Sequence, residues 1–188
     1  MSSPVLEFLL SRRSVPARTM TGPLPSEAEL HSMLTAATRV PDHGKLEPFR
    51  LIVHGPEARA RLADLTRSLG AQKGHDPERL QKQSQAFEGE HLTVAVLSTP
   101  VTGTKVPVIE QQMTAGAVCL SLVNAAQAMG YGGHWLSSWM ALDPDFLSQA
   151  YDIEAPAMVA GFVHIGTPSR EPMVRPRPDL SKIISYQP

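Results

Sequence analysis

A single cysteine, Cys119, stands in the 188 residues, so an intrachain disulfide is impossible and secretion gains no support. Cys119 lies inside the apolar run TAGAVCLSLV, the setting of a buried small hydrophobe rather than of a reactive thiol, which needs an electropositive and partly exposed position. Charge of one sign is equally scarce. A formal net charge of −1 gives no global pull toward nucleic acid or an anionic membrane, so recognition by charge has to be local. No window approaches about 18 uninterrupted apolar residues, which argues against a membrane-spanning helix. The start MSSPVLEFLLSRRS lacks the charged, apolar and small-residue order of a secretory leader. A cytoplasmic address is the expectation.

Several catalytic signatures are missing too. There is no GxSxG turn for a serine nucleophile and no GKS or GKT phosphate loop. The seven histidines, at 31, 43, 54, 75, 91, 134 and 164, form no pair at one-turn spacing and join no cysteine cluster, so no metal site is expected. Neither an internal repeat nor a shift in composition divides the chain, and residues 1–188 read as one domain.

What is present is an alternation of helix and strand signals. Ser3 followed by Pro4 opens a helix whose apolar residues Val5, Leu6, Leu9 and Leu10 share a face and which runs out near Arg12 and Arg13. Ser26 and Glu29 have capping-box spacing ahead of a second helix ending about Thr38. Strands are predicted over 49–54 (FRLIVH), 91–98 (HLTVAVLS) and 158–166 (MVAGFVHIG), with a shorter strand-like run at HWLSSWM. Residues 57–69 read as a helix, residues 70–90 as a polar, weakly periodic and mobile excursion, partly helical, and DPDFLSQAY as a helix capped by Asp143. The longest element is a helix from Val108 to Met129, apolar on nearly every face. One small domain has too little material to cover such a helix, so a homodimer with helices packed across a large hydrophobic interface is the favoured expectation over burial within one chain.

Three segments carry candidate chemistry. Arg12, Arg13 and Ser14 supply planar paired donors and a hydroxyl that suit a phosphate, although arginines also finish helices at the negative end of the dipole. The loop Arg39-Val40-Pro41-Asp42-His43 places donors between a helix and a buried strand, where plain connecting loops are common as well. In Gly130-Tyr131-Gly132-Gly133-His134-Trp135 the glycines either let the backbone approach a flat ligand or simply close the long helix. This run is not a dinucleotide fingerprint, because it follows a helix instead of opening one.

Taken together, LLSRRS, AATRVPDHGKLEPFRLIV, KVPVIEQQMTAGAV, AAQAMGYGGHWLSS and VAGFVHIGTP, in this order, resemble the FMN-dependent nitroreductase family and its short, minimal branch. The resemblance spans nearly the whole chain and is weakest over residues 70–90. It implies an α+β fold of the nitroreductase type, a mixed sheet flanked by helices with the long buried helix at a homodimer interface. It also implies that Arg12, Arg13 and Ser14 hold the FMN phosphate and ribityl from one subunit, while Arg39 and His43 reach the same flavin from the other. Trp135, Leu136 and Ser137 would line the isoalloxazine ring, with a backbone N–H near Ser137 facing flavin N5. Residues 125–130 resemble a segment linked to nicotinamide binding. Larger family members carry an acidic residue where Ser137 aligns. They also carry a basic phosphate-binding pair near the C-terminus with the spacing of Arg175 and Arg177, which makes Arg177 a further candidate contact. Lys105 and Glu110 lie in a loop that borders the expected site.

The implied activity is ping-pong hydride transfer from NADH or NADPH through FMN to a nitroaromatic, quinone or similar acceptor, with no side chain assigned as a catalytic acid or base. A flavin-binding or storage module without turnover, a same-fold flavin enzyme with different redox chemistry, and a structural dimer without cofactor remain the alternatives.

Overall fold

A computed structural model describes residues 3–187, so both ends of the 1–188 span lie outside the described residues. In chain order the regular elements are α1 (Pro4–Ser11), β1 (Met20–Thr21), α2 (Glu27–Ala37), β2 (Phe49–His54), α3 (Pro56–Gln72), α4 (Pro77–Ser84), β3 (Leu92–Ser98), α5 (Val108–Ala128), β4 (Gly132–Leu136), α6 (Pro144–Tyr151) and β5 (Met158–Pro168). Local capping chemistry starts the helices where the sequence places them. The Ser3 hydroxyl accepts the Leu6 N–H, and Asp143 accepts the Phe146 N–H. Ser26 and Glu29 satisfy each other's backbone, at 2.9 Å from the Ser26 N–H to the Glu29 carboxylate and 3.3 Å in return. Gly130, with φ of +87°, ends α5 in the left-handed conformation that glycine takes without a steric cost.

The strands form one sheet in the order β1-β5-β3-β2, with β4 also bonded to β5. Every pairing among the described residues is antiparallel, whereas a mixed sheet was expected. Two helices, α3 and α4, separate β2 from β3, and the chain therefore returns in the opposite direction. The crossover through α5 does make β3 and β4 run the same way, but β5 lies between them and pairs antiparallel with both.

Helices cover both faces of this sheet. On one side Met33 and Ala37 of α2 and Val118 and Leu122 of α5 pack on Val94, Val96, Val163 and Ile165. On the other, Leu62 and Leu69 of α3, Phe146 and Leu147 of α6, and Phe87 meet Ala95, Leu97, Val159 and Phe162. Successive β3 residues thus enter opposite cores, which is why that strand reads as an unbroken apolar run.

Two elements differ from the sequence expectation in extent. The helix expected over 57–69 runs on to Gln72, and within residues 70–90 the Asp76 carboxylate caps α4 while Leu80 and Phe87 are buried. The Arg59 guanidinium, itself buried, fastens that segment by donating to the carbonyls of Phe87 at 3.1 Å and Gly89 at 2.8 Å. Only two apolar anchors among many polar residues explain the weak periodicity. The run HWLSSWM is strand only as far as Leu136; Trp139–Ala141 forms a 3-10 turn whose indole N–H donates to Gln83 of α4.

The long helix α5 buries one face only within the chain. Thr114, Ala115, Val118, Cys119, Leu122, Val123 and Ala126 face the sheet, while Ile109, Met113 (66% exposed) and Leu120 (46%) face outward. The leucines of α1 have no cover either. Cys119 is a free thiol in the core, and burial pushes its pKa up to about 12. Among the described residues no helix is long and apolar enough to cross a membrane.

Beneath the second core three imidazoles meet. The ring of His164 lies 5.0 Å from that of His91 and 6.5 Å from that of His134. His164 Nδ1 shares a 3.0 Å hydrogen bond with the Thr93 hydroxyl, and His91 Nε2 donates to the Ala86 carbonyl. The remaining nitrogens, His91 Nδ1 and His164 Nε2, are buried without a partner. Burial, then the nearby Arg59, lowers His91 to about 4, and burial with the neighbouring imidazoles holds His164 well below the ordinary value of 6.5. The unfolded chain therefore binds more protons than the native one as pH falls from about 6.5 to about 4. Stability is full above that window and declines within it, His91 alone accounting for up to about 3 kcal/mol. Urea midpoints should fall between about pH 7.5 and pH 5, and His91→Gln should flatten the decline.

Candidate functional site

The end of α1 delivers Arg12 and Arg13 to the free edge of β4. Chain reversal there is fixed by two hydrogen bonds: the Val15 N–H donates to the Gly133 carbonyl at 3.1 Å, and the side-chain amide of Gln127, the penultimate residue of α5, donates to the Arg13 carbonyl. The C-terminal segment crosses the same place, where an Arg177 guanidinium N–H donates to the Arg12 carbonyl at 2.9 Å. The result is a concavity of about 210 Å³ lined by Arg12, Arg13, Ser14, His134, Trp135, Arg175 and Arg177.

Its electrostatics are one-sided. Among the described residues none of these four arginines has a carboxylate in ion-pair range, and buried N–H groups at Arg12 Nε and Arg13 Nη1 have no acceptor. Burial first, then repulsion from Arg177, Arg175 and Arg12, pulls Arg13 below the ordinary arginine value. Arg12 also donates weakly to the Ser14 hydroxyl, at 3.4 Å. Crowded like charges with open donors suit an anion, and a phosphate monoester, with its charge near −2 and three acceptor oxygens, would fit the donor set.

Trp135 and His134 leave β4 on opposite sides. The Trp135 indole lies flat over Gly161 and donates to the Ala160 carbonyl at 3.1 Å. His134 accepts the Ala17 N–H on Nδ1 at 3.2 Å, so the neutral ring carries its proton on Nε2; burial and Arg175 keep it neutral. Leu136 borders a neighbouring concavity, and Ser137 is exposed just past the strand.

Arg39 and His43 are not part of this cluster. The His43 imidazole meets the Glu110 carboxylate at 2.7 Å, and the Thr114 hydroxyl donates to the Pro41 carbonyl, both at the first turns of α5. Gln127, which holds Arg13, is 17 residues further along that helix, about 25 Å away at 1.5 Å per residue. The loop itself is rigidly built: Lys45 and Glu47 have left-handed φ of 52° and 48°, and the Asp42 carboxylate accepts the Leu46 and Glu47 N–H groups at 3.2 and 2.8 Å. Such backbone costs about 1–2 kcal/mol per residue and persists where surroundings over-determine it. Arg39 and Lys105 are exposed.

Sequence reading passed over Gln127 and the separate part of His134. The signal for the first was a lone long amide near the end of an apolar helix. Nothing local distinguished His134 from its six counterparts.

The seat of Trp135 is testable. A Cβ on Gly161 would lie 2.0 Å from the indole nitrogen and 3.0 Å from Cys119 Sγ. Gly161→Ala should cost about 1–3 kcal/mol in urea unfolding. In a Trp135→Ala background the same change should cost clearly less, a coupling that a double-mutant cycle reads directly.

Comparison with known proteins agrees with this architecture. Residues 9–167 match the profile described as "Nitroreductase family". The "Putative NAD(P)H nitroreductase YdjA" of Escherichia coli strain K12 is 29% identical over 182 residues, covering 96% of this chain and 98% of that protein. A "Putative NAD(P)H nitroreductase" of Haemophilus influenzae is 31% identical over 164 residues, 86% of this chain and 87% of its own. Among solved structures, a nitroreductase from Desulfovibrio desulfuricans in complex with FMN superposes with a TM-score of 0.76 at 19% identity, covering 100% of this chain and 99% of its own. With the profile spanning most of its length, the chain belongs to the nitroreductase family.

Proposed function

We propose that this protein is an FMN-dependent NAD(P)H oxidoreductase that works as a homodimer with each flavin site shared between two copies. The observation that carries the reading is the convergence of Arg12, Arg13, Arg175 and Arg177, with buried and unsatisfied N–H groups, beside the one-sided strand β4. The FMN of the Desulfovibrio relative and the NAD(P)H in the names of the curated relatives supply the cofactor and donor.

In this reading the four guanidiniums and the Ser14 hydroxyl grip the phosphate, and the indole of Trp135 borders the ring with Leu136. The backbone N–H near Ser137, beyond the paired part of β4, would be the donor available to N5. When bound, FMN supplies hydride acceptance at N5 and two-electron delivery to a nitroaromatic, quinone or similar acceptor, the donor and acceptor visiting in turn. No side-chain acid or base need be invoked. The chain's work is to hold the cofactor, to keep positive charge near it, and to leave one face open.

Sharing between copies follows from the length of α5. His43, paired with Glu110, lies about 25 Å along α5 from Gln127 and the Arg13 it holds, which supports the reading that His43 serves the flavin of a second copy. A second copy with its α5 antiparallel would bring its His43 loop to the first copy's arginines and would bury Ile109, Met113 and Leu120. The exposed Leu180, Ile183 and Ile184 of the C-terminal segment also favour a large interface. A cytoplasmic location goes with this reading and with the buried, reduced Cys119.

Protein purified without added cofactor should show flavin bands that bleach anaerobically with NADH or NADPH. Bands that persist with both donors would favour a storage module, and a colourless protein that takes up no FMN would overturn the reading. Arg13→Ala should weaken FMN binding by about 1.5–3 kcal/mol in calorimetric titration, roughly tenfold to a hundredfold. For the dimer, Leu120→Asp should give a monomer in sedimentation that has also lost its flavin; a yellow monomer would refute site sharing.

A further inference from the structure

The basic surface extends further than one phosphate requires. Beside the arginine cluster lies a second concavity of about 290 Å³, lined by Pro16, Ala17, Arg18, Lys82, Ala86, His134, Leu136 and Arg175 among others. It adjoins the first through Pro16, His134 and Arg175, which border both. Three cations, Arg18, Lys82 and Arg175, face it, and no carboxylate is among its lining residues. Among the described residues neither Arg18 nor Lys82 has an ion pair, so no carboxylate neutralises the pocket's cations from within it.

The geometry points to a second phosphate subsite. FMN brings one phosphate monoester, which Arg12, Arg13 and Arg177 with Arg175 already outweigh. The surplus of Arg18 and Lys82 calls for another dianion, next to the flavin and on the side of the strand that bears Leu136. Of the two nicotinamide donors only NADPH carries a phosphate monoester; its pyrophosphate is common to both. We infer that the pocket of Arg18 and Lys82 takes the 2′-phosphate of NADPH, with the apolar wall of Pro16, Ala17, Ala86 and Leu136 beside the adenosine, and that the enzyme selects NADPH over NADH. This rests on the flavin reading above and adds the identity of the donor.

α4 has a defined part in this arrangement. Gln83, the residue after Lys82, ties α4 to the exit of β4 through Trp139 and Ser138. The polar segment 70–90 thereby becomes a wall of the site.

The test is the anaerobic bleaching of the flavin under single-turnover conditions, which involves no acceptor. Wild-type protein should show an apparent Kd for NADPH at least about tenfold below that for NADH. Arg18→Ala with Lys82→Ala should raise the NADPH value about tenfold or more and leave the NADH value within about twofold, with FMN occupancy unchanged. Equal losses for both donors would assign the cations to the pyrophosphate, and no loss would leave them without a ligand; either result overturns the inference while the flavin reading stands. Calorimetry with adenosine 2′,5′-bisphosphate supplies a readout apart from turnover. It should bind wild type and not the double variant, with adenosine 5′-monophosphate as the comparison, and failure to bind wild type would overturn the inference even if neither donor bleached the flavin.

Discussion

A helix of 21 residues with only one face covered is the constraint on which the rest of this molecule depends. Its inner face is shaped to the sheet by small residues: Ala115, Cys119 and Ala126 let Val118, Leu122 and Val123 reach the strands. Its outer face keeps Ile109, Met113 and Leu120 in water, an arrangement a chain of this size sustains poorly unless a second surface meets them. Its two ends hold different things. Glu110 and Thr114 fix the His43 loop, and Gln127 fixes Arg13. The helix is thus a spacer, and its length separates groups that a single flavin would need together. In the proposed homodimer, association of two copies and construction of the flavin site would be one requirement.

The arginine cluster adds a second tension. Placing four guanidiniums around a small concavity without a counter-charge costs free energy, as the lowered pKa of Arg13 indicates. Two of the four come from the exposed C-terminal segment. A phosphate that entered would convert repulsion into paired, charge-assisted hydrogen bonds. The Arg177 contact to the Arg12 carbonyl shows where the C-terminal segment meets the end of α1.

Much of the fold was legible because its signals are local. Capping at Ser3, Ser26 and Asp143, the apolar β3, and the glycine after α5 each act within a few residues. Strand direction was not legible, since it depends on β5, the last strand in the chain, inserting between β3 and β4. The extent of α3 and the fold of residues 70–90 were obscured because Leu80 and Phe87 carry the packing almost alone, and because Arg59, 28 residues away from Phe87, supplies the decisive hydrogen bond. At the site, the place of Arg12, Arg13 and Ser14 at a helix end left a plain helix terminus and a phosphate site both open, and only the resemblance chose between them. Arg177 came only from resemblance, and the family profile itself stops at residue 167, before Arg175 and Arg177. His134, Arg18 and Lys82 come together from three separate segments, and no spacing rule links them.

The strand β4 shows how little sequence is needed to divide such a site in two. Side chains of adjacent residues leave a strand on opposite faces. Trp135 therefore lies on the α5 side, over Gly161, where the dimer interface would cover it, while His134 and Leu136 turn toward α4 and the polar segment. Gly161 makes the first possible, since any larger residue would meet the indole at 2.0 Å. The Ala17 N–H makes the second possible by fixing the His134 ring. One short strand can then present an aromatic edge to a flat ligand and a polar wall to a charged one. Its outer edge is bonded to no further strand and meets Val15 at the Gly133 carbonyl. In a small chain the alternation of a strand supplies a division of labour that larger proteins obtain by adding loops.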